Sequence, residues 1–342
     1  MEAQELKARI KSGNLAGWYL MCGEEDYLKK YYMNELRAAA IVDEAFAPFN
    51  YVEYDGADIS FAEVAEHIKS PPMRGEYKLI EWRFANLDGL KESEKSALVD
   101  LFELKEDYPC AIFAIMATEE GFDAGTAKRP SKLASRLSEG FGIISFPKST
   151  DAQLIAWLRR HFDAEGVSAR PEVSEALIFR SGRSMEVLNN EVLKLSAYAH
   201  ANGKGEITVS DVEEVASPTA ECDAFALSNA VIDKNIDRAF YALTDLKARR
   251  VEPPVIVAML ERVYSDLCSV ALLLDEGRGS SDIESILKFH PFKAKLYVNA
   301  AKKVGSKGLA ASLSELCRID ASSKSGGVSG YGAIEMFVTN NL

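Results

Sequence analysis

Apolar positions in the first 147 residues gather into short continuous runs separated by amphipathic stretches. Runs at 17–22 (Gly-Trp-Tyr-Leu-Met-Cys), 49–54, 77–82, 110–117 and 141–146 predict five strands. Between them, helical spacing covers residues near 24–40, 60–69, 91–104 and 131–139. Strands that are apolar throughout, alternating with helices, belong to a parallel sheet covered on both faces. Residues 1–147 therefore read as an α/β domain.

The period then changes. Thr150 and Gln153 have the spacing of a capping box, opening a helix that carries Leu154, Ile155, Trp157 and Leu158. Further helices fit 170–180, 184–199 and 209–216, and strand signals stop. Beyond Ser217-Pro218, Ile236, Ala239, Phe240, Leu243 and Leu246 share one helical face. A second apolar stripe runs through 253–275, from Ile256 to Leu274. The pattern predicts a small helical domain over 148–217 and an all-helical domain over 218–342.

Composition narrows the class. The chain has 342 residues, 47% hydrophobic and 27% charged, enough for a core in each domain. Forty Lys and Arg against 52 Asp and Glu leave a net charge of −12, which opposes nucleic-acid binding driven by overall charge. No apolar run approaches the ~18 residues of a spanning helix, and the N-terminus lacks a basic segment followed by an apolar one. The expectation is a soluble, cytoplasmic protein with no membrane partner. Five scattered cysteines and four dispersed histidines contain no ligand spacing, so neither a metal site nor a disulfide framework is expected.

Motif by motif, catalytic chemistry is missing. In this layout a phosphate would bind after the first strand, where a glycine turn enters a helix. The segment there is Gly23-Glu24-Glu25-Asp26-Tyr27-Leu28-Lys29-Lys30. Gly23 and Lys29 match a phosphate loop, whereas Leu28 replaces its second glycine and Lys30 its magnesium-binding hydroxyl. Three carboxylates stand where amides would cradle an anion, so the segment reads as a helix start that satisfies its own dipole. The third strand offers a lone Glu81 as a magnesium ligand. The glycine-rich stretch 325–332 follows a helix and reads as a linker between the last two helices. Between Glu284 and Glu315 lie Lys288, Lys293, Lys295, Lys302, Lys303 and Lys307 with no acid among them. That run is either a solvated helix face or a surface for DNA or an acidic partner.

Several segments, in order along essentially the whole chain, resemble the delta subunit family of bacterial DNA polymerase III. Residues 18–28 (Trp-Tyr-Leu-Met-Cys-Gly-Glu-Glu-Asp-Tyr-Leu) are similar to that family's opening. Residues 71–80 (Pro-Pro-Met-Arg-Gly-Glu-Tyr-Lys-Leu-Ile) are similar to its Pro-Phe-Phe-Gly-Glu-Lys-Arg-Leu-Val segment. Residues 186–198 resemble its Leu-x-x-Glu-x-x-Lys-Leu-x-x-Tyr helix, followed by 207–215 and by Asp320-x-x-x-Lys324-x-Gly326.

The resemblance implies an AAA+-like α/β domain with a degenerate phosphate loop, then a helical lid and an all-α collar for oligomerisation. It also implies a clamp-loader subunit without ATP hydrolysis, cofactor or catalytic site of its own, within a polymerase holoenzyme. Related ATPase subunits carry Gly-Ser-Met-Arg-Asp where this chain has Gly182-Arg183-Ser184-Met185-Glu186, which puts Glu186 at their nucleotide-sensing arginine unless Arg183 substitutes in a shifted register. The implied partners are the sliding clamp (beta subunit), ATPase subunits, delta-prime and, through the complex, primed DNA. The implied clamp-binding residues are Pro72, Met73 and Arg74, and Arg74 departs from the family's bulky apolar pattern. Read without the resemblance, Pro71-Pro72 ends a helix and Met73 packs locally. The alternative function is a nucleotide-dependent AAA+ ATPase with a divergent phosphate loop.

Overall fold

The computed structural model describes residues 1–126, 128–325 and 330–342, which divide into two compact units, 1–149 and 150–342. In the first unit the chain runs α1 (Ala3–Ser12), β1 (Trp18–Cys22), α2 (Asp26–Ala40), α3 (Ala47–Asn50), β2 (Tyr51–Asp55) and α4 (Phe61–Lys69). It continues through β3 (Lys78–Ala85), α5 (Glu92–Asp100), β4 (Ala111–Ala117), β5 (Gly125–Thr126), β6 (Arg129–Pro130), α6 (Lys132–Leu137) and β7 (Gly142–Ser145).

All five expected strands form one parallel sheet in the order β2-β3-β4-β1-β7. Central β1 and β4 are buried on both faces, which is why their sequences are apolar without alternation. Along β1, Trp18, Leu20 and Cys22 enter one core with Phe113 and Phe141. Tyr19 and Met21 enter the opposite core with Leu6, Met33 and Leu36. Because β1 lies between β4 and β7, the loop leaving it opens at the switch point of strand order, where ligands of such sheets bind.

The second unit is helical: α7 (Asp151–Ala164), α8 (Pro171–Ser181), α9 (Met185–Ala201), α10 (Val209–Val215), α11 (Ala220–Ile232) and α12 (Ile236–Ala248), then α13 (Pro253–Asp275), α14 (Ser280–Leu287), α15 (Pro291–Lys324) and α16 (Tyr331–Asn341). The expected capping box of Thr150 with Gln153 is present, and Thr208 with Asp211 forms a second one at the start of α10. The stripe from Ile256 packs inward on Tyr297, Leu309 and Phe337. Gly305, at φ 78°, breaks α15 in its course. Among the described residues no helix is long and apolar enough to cross a membrane.

Differences from the sequence expectation are local. α1 carries too few apolar residues to show a stripe, although Leu6 is fully buried. The run from Phe49 begins as the single helical turn α3, started by Pro48, and the strand begins only at Tyr51. The helix expected over 91–104 ends at Asp100 and tightens into a 3-10 turn, Leu101–Leu104. Strand pairing also returns after 147 as a two-residue parallel ladder, Ser168–Ala169 with Glu206–Ile207, too short to leave a period.

Candidate functional site

Two surfaces of the first unit and one of the second hold the residues singled out by sequence. The first is the loop after β1. Gly23 sits at φ 101°, and a Cβ there would lie 2.5 Å from the Phe146 carbonyl, so only glycine fits. The Phe146 N–H donates to Cys22 O at 2.8 Å, and the Glu25 N–H donates to Phe146 O at 2.9 Å. An amide that a phosphate cradle would present is therefore already used by β7's end.

Lys29 is fully buried. Its Nζ donates to Gly23 O at 2.7 Å and to Ala117 O at 2.8 Å, and pairs with Asp26 Oδ1 at 2.8 Å. The ammonium thus ties the ends of β1 and β4 to the first turn of α2. Burial raises the Glu25 carboxyl above the usual range, against backbone N–H bonds from Ser149 and Tyr27 that hold it down.

Glu81 on β3 is equally engaged. It accepts the Tyr51 hydroxyl at 2.9 Å and pairs with Arg83 Nε at 2.6 Å, while Arg83 also reaches Glu53 at 2.8 Å. Among the described residues no group of three His, Cys, Asp or Glu is arranged to hold a metal.

The second surface is the loop between α4 and β3. Met73 is 45% exposed at its tip, Arg74 is exposed, and Pro72 is half-buried. Asn50, buried at the end of α3, donates from Nδ2 to Met73 O at 2.8 Å and accepts the Met73 N–H on Oδ1 at 2.7 Å. Arg74 takes φ 51°, and its guanidinium lies over the Phe46 ring at 5.3 Å. Arg74 therefore folds back on a neighbour while Met73 projects. Met73 is partly covered and partly open to solvent.

Sequence reading missed Asn50, Phe46 and Phe49. Phe49 is 53% exposed and its ring is 6.5 Å from that of Phe46. The signal was Asp43, whose carboxylate accepts the Ala45 N–H at 3.0 Å and starts a 3-10 turn at Glu44–Phe46.

The third surface is the lysine run. Lys293 faces inward, pairing with Glu221 at 2.6 Å and Asp266 at 3.1 Å beneath the Phe289 and Tyr297 rings. Lys303 pairs with Asp233 at 2.5 Å. Lys288, Lys295, Lys302 and Lys307 are exposed and form no ion pair among the described residues. Within the run, two lysines are engaged internally and four stand exposed.

Remaining motifs have structural roles. Arg183 pairs with Asp151, and Glu186 lies in the first turn of α9 behind the Ser184 cap. Glu191 is buried, pairs with Lys194 at 2.7 Å and accepts the Ser217 N–H at 3.2 Å, joining α9 to the segment before α11. Asp320 and Lys324 form an ion pair along α15 at 2.5 Å. Residues 326–329 of the expected linker, Gly326 among them, lie outside the described residues.

The family described as "DNA polymerase III, delta subunit" matches residues 19–125, and "DNA polymerase III delta subunit, C-terminal domain" matches residues 221–341. The two matches together take in more than half of the chain. A curated relative, DNA polymerase III subunit delta of Bacillus subtilis (strain 168), is 22% identical over 339 residues, covering 97% of this chain and 95% of its own. A solved structure, the Bacillus subtilis DNA clamp loader delta protein, aligns with TM-score 0.58 at 21% identity, over 99% of this chain and 98% of that one.

Proposed function

The chain belongs to the family of DNA polymerase III delta subunits, and from that premise we propose that it is the clamp-opening subunit of a clamp loader. It binds the sliding clamp through the Met73 loop, works without ATP hydrolysis of its own, and assembles with ATPase subunits and a delta-prime subunit. The single observation that carries the reading is the pinned and exposed Met73. A flexible apolar side chain on a loop held by Asn50 suits insertion into a pre-existing apolar pocket. The rigid Pro72 before it limits the freedom lost on binding.

Support for the absence of hydrolysis is the loop after β1. An ATPase needs backbone amides and a free lysine for phosphates, whereas here the Glu25 amide and the Lys29 ammonium bond within the protein. The three-part division, with a lid over 148–217 and a collar over 218–342, belongs to the same proposal. Primed DNA is reached through the complex, and within the lysine run Lys288, Lys295, Lys302 and Lys307, which form no ion pair among the described residues, are the cations proposed to face it.

The test is equilibrium binding of the full chain to its cognate clamp. Burying the exposed part of Met73 contributes about 1 kcal/mol, and aspartate adds the cost of desolvating a carboxylate in an apolar pocket, so Met73→Asp weakens binding about ten- to a hundredfold while leaving the unfolding midpoint nearly unchanged. Equal loss of stability and binding would make Met73 a core residue. Titration with a fluorescent ATP analogue gives no saturable signal, and micromolar binding lost in Lys29→Ala would restore the ATPase reading.

A further inference from the structure

Residues 42–50 place more apolar surface in water than the neighbouring core requires: Val42 is 87% and Phe49 53% exposed. An exposed aromatic beside a projecting methionine is the composition of a contact surface. Phe49 is linked to Met73 by two independent routes. The first is covalent and then polar, because Phe49 precedes Asn50, whose amide takes both backbone groups of Met73. The second is through side chains, because the Phe49 ring meets Phe46 and the Phe46 ring carries the Arg74 guanidinium.

We propose that Phe49 is a second anchor of the clamp contact, entering the clamp's apolar surface together with Met73. The inference rests on the clamp reading above and deepens it. It also reassigns Arg74. The left-handed backbone at φ 51° turns this side chain back onto Phe46, so Arg74 is a positioning residue that braces the aromatic pair instead of an anchor.

The choice of occupant follows from continuity with the Met73 surface. A phenylalanine ring has two side-chain torsions to immobilise, fewer than methionine, so its burial loses less to ordering. The contact is then bipartite: a rigid ring on α3 and an adaptable thioether on the loop, held in register by Asn50. Two segments distant in sequence also make the surface sensitive to shape, so a partner must fit both.

Binding of the full chain to the cognate clamp is measured for wild type, Phe49→Ser, Phe49→Met, Met73→Asp and Phe84→Asn, with the unfolding midpoint of each. Phe84 is an exposed phenylalanine (52%) at φ 50° elsewhere in the first unit, and asparagine accepts that backbone. Phe49→Ser is expected to weaken binding about tenfold or more, Phe49→Met about threefold or less, and Phe84→Asn not at all. If Met73→Asp loses binding while Phe49→Ser binds like wild type, the second anchor is wrong and the clamp reading stands. If Phe49→Ser lowers the midpoint and Phe49→Met, folded, still loses as much affinity as the serine variant, an apolar anchor at 49 is wrong. If wild type does not bind the clamp, the clamp reading fails and this inference with it.

Discussion

The side-chain amide of Asn50 pairs with Met73 as a neighbouring strand would, donating to its carbonyl at 2.8 Å and accepting from its N–H at 2.7 Å. Twenty-three residues of chain are closed by this one contact, and the loop tip is fixed relative to α3 rather than to the helix and strand that flank it. Asn50→Ala removes both bonds from a buried position. The expected cost is about 1–3 kcal/mol in urea unfolding, from two lost hydrogen bonds and partly exposed groups returned to water. Clamp affinity falls as well, because the loop must then be ordered on binding. Asn50→Asp keeps the acceptor but sets a buried carboxylate oxygen against the Met73 carbonyl, so at pH 7 it costs at least as much as alanine.

A different outcome separates a structural lysine from a nucleotide-binding one. Lys29→Ala leaves Gly23 O and Ala117 O without their donor and opens a cavity at the end of the sheet. Unfolding free energy drops by about 2–5 kcal/mol. Nucleotide titrations of wild type and variant are both flat. In a working phosphate loop the same change would remove nucleotide affinity and spare much of the fold.

Legibility in the sequence followed the range of the interaction. The central strands β1 and β4 are visible as continuous apolar runs because they are buried on both faces, whereas β2, only half-buried, is visible through its β-branched and aromatic residues. Phe49 reads as part of a strand because an aromatic in an apolar run has high strand propensity, and the one-turn α3 is too short for a period to oppose it. Asn50 is invisible for another reason: its partner is fixed by folding, and no local pattern announces a residue 23 positions away. The lysine run shows the same limit. Nothing local distinguishes Lys293 from Lys295, yet Glu221 and Asp266 claim only the first.

Glu25 supplies a pH dependence with a definite sign. Burial raises its carboxyl, so the folded state binds a proton more readily than the unfolded chain, and the charged form opposes folding at neutral pH. Glu25→Gln keeps an acceptor for the Ser149 amide and removes that charge. The variant is expected to be more stable than wild type at pH 7. The difference shrinks as pH falls through the raised carboxyl value and is gone once Glu25 is protonated in both states. Thermal unfolding of the two proteins between pH 7 and pH ~4 measures it.

Sorting the six lysines yields opposite expectations for neighbours in sequence. Lys293→Ala leaves Glu221 and Asp266 facing each other without their shared cation and uncovers the Phe289 and Tyr297 rings. It costs about 1–3 kcal/mol of stability, as loss of one partner from a half-buried charge cluster does. Lys288, Lys295, Lys302 and Lys307 have no such internal duty, and alanine at all four leaves the unfolding midpoint near that of wild type. If these four face DNA in the loader, each phosphate contact releases counterions, and the slope of log affinity against log salt falls by about 0.7–0.9 per lysine removed. The quadruple variant, assembled into the complete loader and titrated with primed DNA at several salt concentrations, then shows a slope shallower by about 3. An unchanged slope returns the four to the solvated helix face. An unchanged slope with weakened loader assembly assigns them instead to an acidic protein partner, because the electrostatic contact would then lie between subunits and not along the phosphate backbone.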